Sequence, residues 1–194
     1  MTRHTIKTLL TGLLLSFLAS PVFAHTGANS AQGFADGFLH PLQGIDHLLV
    51  ILAIGLWGFI LAGKMIWALP LTFLIMMAAG AGLNALGFTL QIAEQGVLLS
   101  LLAFGLILGF NLRTSIFTAL GMVATIALCH GYVHASELTI DADKITYVLG
   151  FLFATAHLQG LGLVAGLQGG KTLNVLRISL GLTCSTAFVV LLAG

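Results

Sequence analysis

The chain has 194 residues, 58% of them hydrophobic and only 7% charged, with a mean hydropathy of +1.09 and a formal net charge of +1. A soluble globular domain carries roughly a quarter charged residues, so a water-soluble reading is excluded; the net charge by itself says nothing about nucleic acid, and no nucleic-acid partner is expected. Strand alternation is absent, which excludes a membrane barrel, and backbone groups in lipid must then pair within each segment. The expected fold is all-α, a polytopic transmembrane bundle of about six helices after a cleaved signal peptide.

Residues 1–24 read as that signal. Arg3 and Lys7 supply the basic start, 9–19 the apolar stretch, and Val22, Phe23 and Ala24 a small-residue cleavage site. Cleavage there would leave His25 at the new N-terminus, where an amino group beside an imidazole is a natural chelate. Residues 25–40 form a short, moderately polar periplasmic lead-in, and 41–194 the six-helix domain. Its first span is expected at 41–61, with Pro41 in the favoured first turn. Further spans follow at 66–88, 96–110, 115–135, 145–168 and 173–193, most of them near the 20 residues a bilayer requires.

Loop charges orient the bundle. With residue 25 outside, the inner turns carry Lys64, Arg113, Lys171 and Arg177 and no acid, whereas the outer segments hold Asp36, Glu94, Glu137, Asp141 and Asp143 against a single base, Lys144. This positive-inside pattern places the chain in a bacterial inner membrane with both mature termini periplasmic. Gly105 with Gly109 and Gly162 with Gly166 have the spacing of close helix contacts. The stretch from Ala165 to Lys171 and Thr172 imitates a phosphate-binding loop only superficially, because it ends a membrane helix and follows no strand. Cys129 and Cys184 lie in apolar runs and read as packing thiols.

Ionisable groups inside a membrane are costly and mark function. The mature chain has six histidines, His25, His40, His47, His130, His134 and His157, and all but His25 fall at or within helices, together with Asp46. His40 and His47 are seven residues apart, on one helical stripe but about 10 Å from Cα to Cα. One ion could join them only if His40 lies outside regular helix, which Pro41 and Gly44 allow. Asp46 could ligate directly or orient His47. His134 lies about 40° round the helix from His130, and Glu137 about 20° on the other side, so the three share one face. An i, i+4 histidine pair is the spacing that zinc-binding helices use. His157 sits near mid-bilayer in the fifth span, with Gln159 nearby in sequence. For each histidine the plain alternative is a core residue hydrogen-bonded to a carbonyl or hydroxyl.

The block His40-Pro41-Leu42-Gln43-Gly44-Ile45-Asp46-His47 resembles the H-P-x-x-G-x-D-H signature of the HupE/UreJ family of hydrogenase and urease accessory membrane proteins. His130, Gly131, His134 and Glu137 are similar to that family's second histidine motif, and Ala154, Thr155 and Ala156 are family-like. The resemblance covers essentially the whole chain. It implies a non-enzymatic secondary permease for Ni²⁺ or Co²⁺. The residues alone specify a divalent site of imidazole and carboxylate, which also suits Zn²⁺ or Cu²⁺. The expected metal residues are His40, Asp46, His47, His130, His134, Glu137 and His157, handling a transported ion with no permanently bound cofactor. The expected partners are the metal ion and the lipid bilayer, and the sequence leaves a homo-oligomer open. Two rival readings are an intramembrane zinc hydrolase and a bis-histidine haem protein.

Overall fold

A computed structural model describes residues 33–136 and 144–193. The expected signal at 1–24, His25, Glu137, Asp141 and Asp143 lie outside the described residues. Within them every regular element is helical: α1 Phe34–Gln43, α2 Ile45–Leu61, α3 Met65–Ala85, α4 Ala93–Phe110, α5 Ile116–Ser136, α6 Lys144–Gly166 and α7 Gly170–Ala193. Helices α3 to α7 are each long and apolar enough to cross a membrane, and α1 with α2 makes a sixth span broken by an 88° bend. The chain is a multi-pass helical membrane protein.

Five spans agree with the sequence reading to within a few residues. The first does not. In place of one helix over 41–61 with Pro41 in its first turn, the chain is already helical from Phe34 and breaks at Gly44. Pro41 falls inside α1, where it is buried. Gly44 takes an extended conformation (φ −97°, ψ 116°), and α2 restarts at once, with Leu48 N–H donating to the Gly44 carbonyl.

The remaining helix ends follow local chemistry. Asn111 adopts the left-handed conformation (φ 54°) after α4, and the Asn111 and Leu112 N–H groups both donate to the Ile107 carbonyl. These bonds satisfy a carbonyl that lipid could not hydrate. The same end of α4 is held by Arg177, which lies in the second turn of α7 instead of standing as a loop anchor. It is almost buried and donates to the carbonyls of Leu108 and Gly109.

The core runs through α2, α3, α4, α5 and α6, with Val50, Ile54, Leu69, Phe73, Leu101, Phe104 and Val123 fully enclosed. A face of most helices stays apolar and exposed, as at Phe117, Ile145 and Leu182, which is the surface expected against lipid tails. Of the first glycine pair, Gly105 packs against Gly181 and Ser185 of α7 while a Cβ on Gly109 would meet nothing within 4 Å; of the second, Gly162 and Gly166 meet Leu52 and Phe59 of α2. The two cysteines are free and buried.

Two close approaches decide where the histidines end up. A Cβ on Gly37 would stand 2.0 Å from the Tyr147 carbonyl, and one on Gly150 would stand 2.1 Å from the Phe34 carbonyl. These glycines therefore let α1 lie directly on α6. In the same way a Cβ on Gly131 would stand 1.9 Å from the Met77 carbonyl, so the backbones of α3 and α5 touch one residue from His130. Backbone cannot yield as a flexible side chain does. Gly131→Val is expected to destabilise the protein by about 1–3 kcal/mol or more, read as a lower midpoint in thermal unfolding in detergent and a smaller yield in the membrane fraction.

Candidate metal site

The break at Gly44 turns α1 back across the mouth of the bundle, and this is what places His40. Its Nε2 lies 2.9 Å from His134 Nδ1, 94 residues away, one nitrogen donating and the other accepting. The His40 ring also packs on Tyr147 and Phe151 of α6 at 5.8 and 5.7 Å between centroids. His47, in the first turn of α2, sits at the centre of the group. Its ring centroid is 4.2 Å from His134, 5.2 Å from His130 and 6.4 Å from His40. Four of the histidines expected from the sequence are therefore one cluster, drawn from α1, α2 and α5.

Two of these imidazoles have their tautomers fixed. His130 donates from Nδ1 to the Ile126 carbonyl at 2.9 Å, the i−4 partner on its own helix. His47 donates from Nδ1 to Asp46 Oδ1 at 2.7 Å, and that same oxygen accepts the His47 backbone N–H at 2.9 Å. In a neutral ring with its proton on Nδ1, Nε2 carries the lone pair. The Nε2 atoms of His47 and His130 are buried and have no hydrogen-bond partner among the described residues. A carboxylate or carbonyl behind an imidazole, with the far nitrogen turned inward, is the arrangement that orients histidine for metal and raises its basicity. Asp46 thus stands behind His47 in an orienting position.

Gly44 has a second role here. A Cβ on it would meet His47 Nδ1 at 2.7 Å and Asp46 Oδ1 at 2.9 Å, so the Asp46–His47 pair fits only against glycine. His130 and His134 are 1% and 4% exposed, and Phe73 and Phe151 lie against their rings at 5.8 and 4.5 Å. A cavity of about 20 Å³, lined among others by His134, Tyr147, Met77 and Phe151, adjoins the cluster. Among the described residues no group of three or more His, Cys, Asp or Glu side chains is placed to hold a metal ion as they stand. The rings are engaged with one another, and gathering an ion would exchange the His40–His134 hydrogen bond for bonds to metal.

His157 stands apart. It is half-buried and donates from Nδ1 to the Phe153 carbonyl at 2.8 Å, with its ring 4.2 Å from that of Phe153. Six residues beyond Phe151 on α6, it lies about 9 Å further along the helix than the cluster. Glu137, expected on the His130–His134 face, lies outside the described residues. The aromatic contacts of Tyr147 and Phe151 were not legible beforehand, because nothing local in 144–151 marks them as neighbours of a histidine 107 or more residues earlier.

The model of the family described as "HupE / UreJ protein" matches residues 13–191. Protein HupE of Rhizobium leguminosarum bv. viciae is 37% identical over 183 residues, covering 93% of this chain and 95% of that protein. No solved structure matches this chain.

The Asp46–His47 bond gives a direct prediction. Asp46→Asn keeps the shape of the side chain and removes the charge that holds the His47 tautomer. Co²⁺ titrated into the purified variant is expected to bind about 10–100-fold more weakly, with thermal stability close to that of the parent. Unchanged affinity would show that Asp46 does not act through His47.

Proposed function

The chain belongs to the HupE/UreJ family, and from that premise we infer that it is a secondary permease importing Ni²⁺ or Co²⁺ across the bacterial inner membrane. The observation that carries this reading is the pair of buried Nε2 atoms, on His47 and His130, that have no hydrogen-bond partner among the described residues. Leaving a buried acceptor unmade costs about 1–3 kcal/mol, and a ligand that arrives and leaves accounts for two of them side by side. Imidazoles with a supporting carboxylate suit nickel and cobalt, and the family resemblance selects these over zinc and copper.

Direction follows from charge. Lys64 and Arg113 lie in the connections α2–α3 and α4–α5, and Lys171 lies in the first turn of α7 just after the α6–α7 connection, all at the opposite end from the histidines. With positive residues inside, the histidine end faces the periplasm and both mature termini lie there. An entering ion meets Asp46 and His40 first, since both are more exposed than His130 and His134. It then displaces the His40–His134 hydrogen bond and is passed to His47, His130 and His134. The inside-negative potential draws a dication inward by about 4–5 kcal/mol per 100 mV, counting two charges, so inward movement needs no further energy source. Imidazoles release metal when protonated.

The rival readings fit less well. Asp46 is committed to His47 through two hydrogen bonds and is poorly placed to serve as the general base of a hydrolase. The cavity beside His134, at about 20 Å³, gives no slot for a haem macrocycle. The import reading is tested by uptake of labelled Ni²⁺ and Co²⁺ in cells at limiting metal. His47→Ala and His130→Ala are each expected to lower uptake at least about tenfold, a loss of about 1.4 kcal/mol or more. Unchanged uptake in both variants would contradict the path.

A further inference from the structure

Below the histidines, the interior of α6 carries two polar side chains that neither the fold nor the cluster explains. Thr155 and Gln159 are 0% and 1% exposed. Among the described residues Thr155 Oγ1, Gln159 Oε1 and Gln159 Nε2 all lack a hydrogen-bond partner. The ordinary fate of a threonine in a membrane helix is visible elsewhere in this protein. The exposed Thr125 and Thr183 donate to the carbonyls four residues earlier, at 3.0 and 2.9 Å. Such back-bonding is the local solution to a hydroxyl in lipid. Thr155, the fully enclosed one, does not use it.

Their depth is set by the packing of α2 on α6. Both helices run from the histidine end towards the basic end. A Cβ on Gly55 would stand 2.0 Å from the Gln159 carbonyl, and one on Gly162 would stand 2.3 Å from the Leu52 carbonyl. Taken together the two contacts put Gly55 level with Gly162, so that Gln159 stands near the level of Leu52 and Thr155 near that of Leu48. The Phe151 ring lies against His40 and His134. Thr155 and Gln159, an i, i+4 pair on one face, are therefore about 6 and 12 Å further along α6 than Phe151, towards the basic end.

We propose that Thr155 Oγ1 and Gln159 Oε1 form a second, oxygen-donor station that takes the cation from the histidines and carries it towards the inner side. The proposal rests on the import reading above and adds a site to it. Buried polar groups without partners are rare, and in a bilayer interior water is not at hand to supply them. A partly dehydrated dication supplies what both oxygens lack. Hydroxyl and carboxamide oxygens are neutral and harder than imidazole, hence weaker ligands for nickel and cobalt. That weakness suits the role, because conduction requires a site that an ion can leave. Trp57 Nε1, also buried without a partner, is a donor only and cannot ligate a cation.

The test uses the full chain in proteoliposomes, with Co²⁺ outside and a Co²⁺-quenched fluorophore in the lumen. Co²⁺ binding to the histidines is followed separately by its visible absorption in detergent. Thr155→Val/Gln159→Met keeps volume and removes both oxygens. Its binding to the histidines and its KM for Co²⁺ are expected within about twofold of the parent, while the maximal flux per molecule falls at least about tenfold. Thr155→Ser, which keeps the hydroxyl, is expected to retain at least about half of the flux. Parental flux in the double variant would overturn the station and leave trapped water as the occupant of these groups. Loss of histidine binding together with flux would also overturn it, in favour of a packing role. A parent protein that moves no Co²⁺ and no Ni²⁺ would remove the import reading itself, and the station with it.

Discussion

The arrangement depends on one backbone event, the break between α1 and α2 at Gly44. A continuous helix would hold His40 and His47 about 10 Å apart along one stripe, with His40 projecting beyond the bundle. The 88° bend instead lays α1 over the mouth, where Gly37 and Gly150 let it touch α6 and where His40 reaches His134. Glycine is required at the hinge for a steric reason. The Asp46–His47 pair occupies the space a Cβ would need, so the residue that breaks the helix also makes room for the bond that orients the central imidazole.

From this follows an economy in polar groups. Lipid penalises each charge, and within the cluster the protons of two imidazoles are assigned to acceptors. His130 hands its proton to a carbonyl of its own helix, and His47 hands its proton to Asp46. Neither needs to become charged to be held in place. The cluster is packed among aromatic rings, Phe73, Tyr147 and Phe151, and in the proposed role a dication would be taken up at the lone pairs of His47 and His130. The His40–His134 bond acts as a closure made of the same atoms that would bind.

Much of this was legible in the sequence because the relevant physics is local. Twenty-residue apolar runs, basic turns and the i, i+4 spacing of His130 and His134 are readable by periodicity alone. Asp46 beside His47 could be seen as a pair, and Pro41 with Gly44 as a weak point in the first span. What periodicity could not supply was the size of the bend or the long-range partner. His40 meets His134 only because α1 folds back onto α6, a tertiary outcome with no signal in residues 34–47. His157 shows the converse. As a histidine deep in an apolar run it has the same local signature as His130 and makes the same bond to the carbonyl four residues earlier, yet it lies about 9 Å further along α6 than the cluster. In the sequence Gln159 stands out only as a neighbour of His157 and Thr155 only as a family-like residue; what marks them is burial without a hydrogen-bond partner among the described residues.

The central claim is that histidines from three helices, α1, α2 and α5, converge on one ion. X-ray absorption at the nickel edge, on the purified protein loaded with one equivalent of Ni²⁺, counts imidazole ligands directly by their multiple scattering. The account predicts three or more imidazoles, with one fewer in His40→Ala and in His134→Ala. A shell of oxygen alone, or an imidazole count that neither substitution changes, would contradict it.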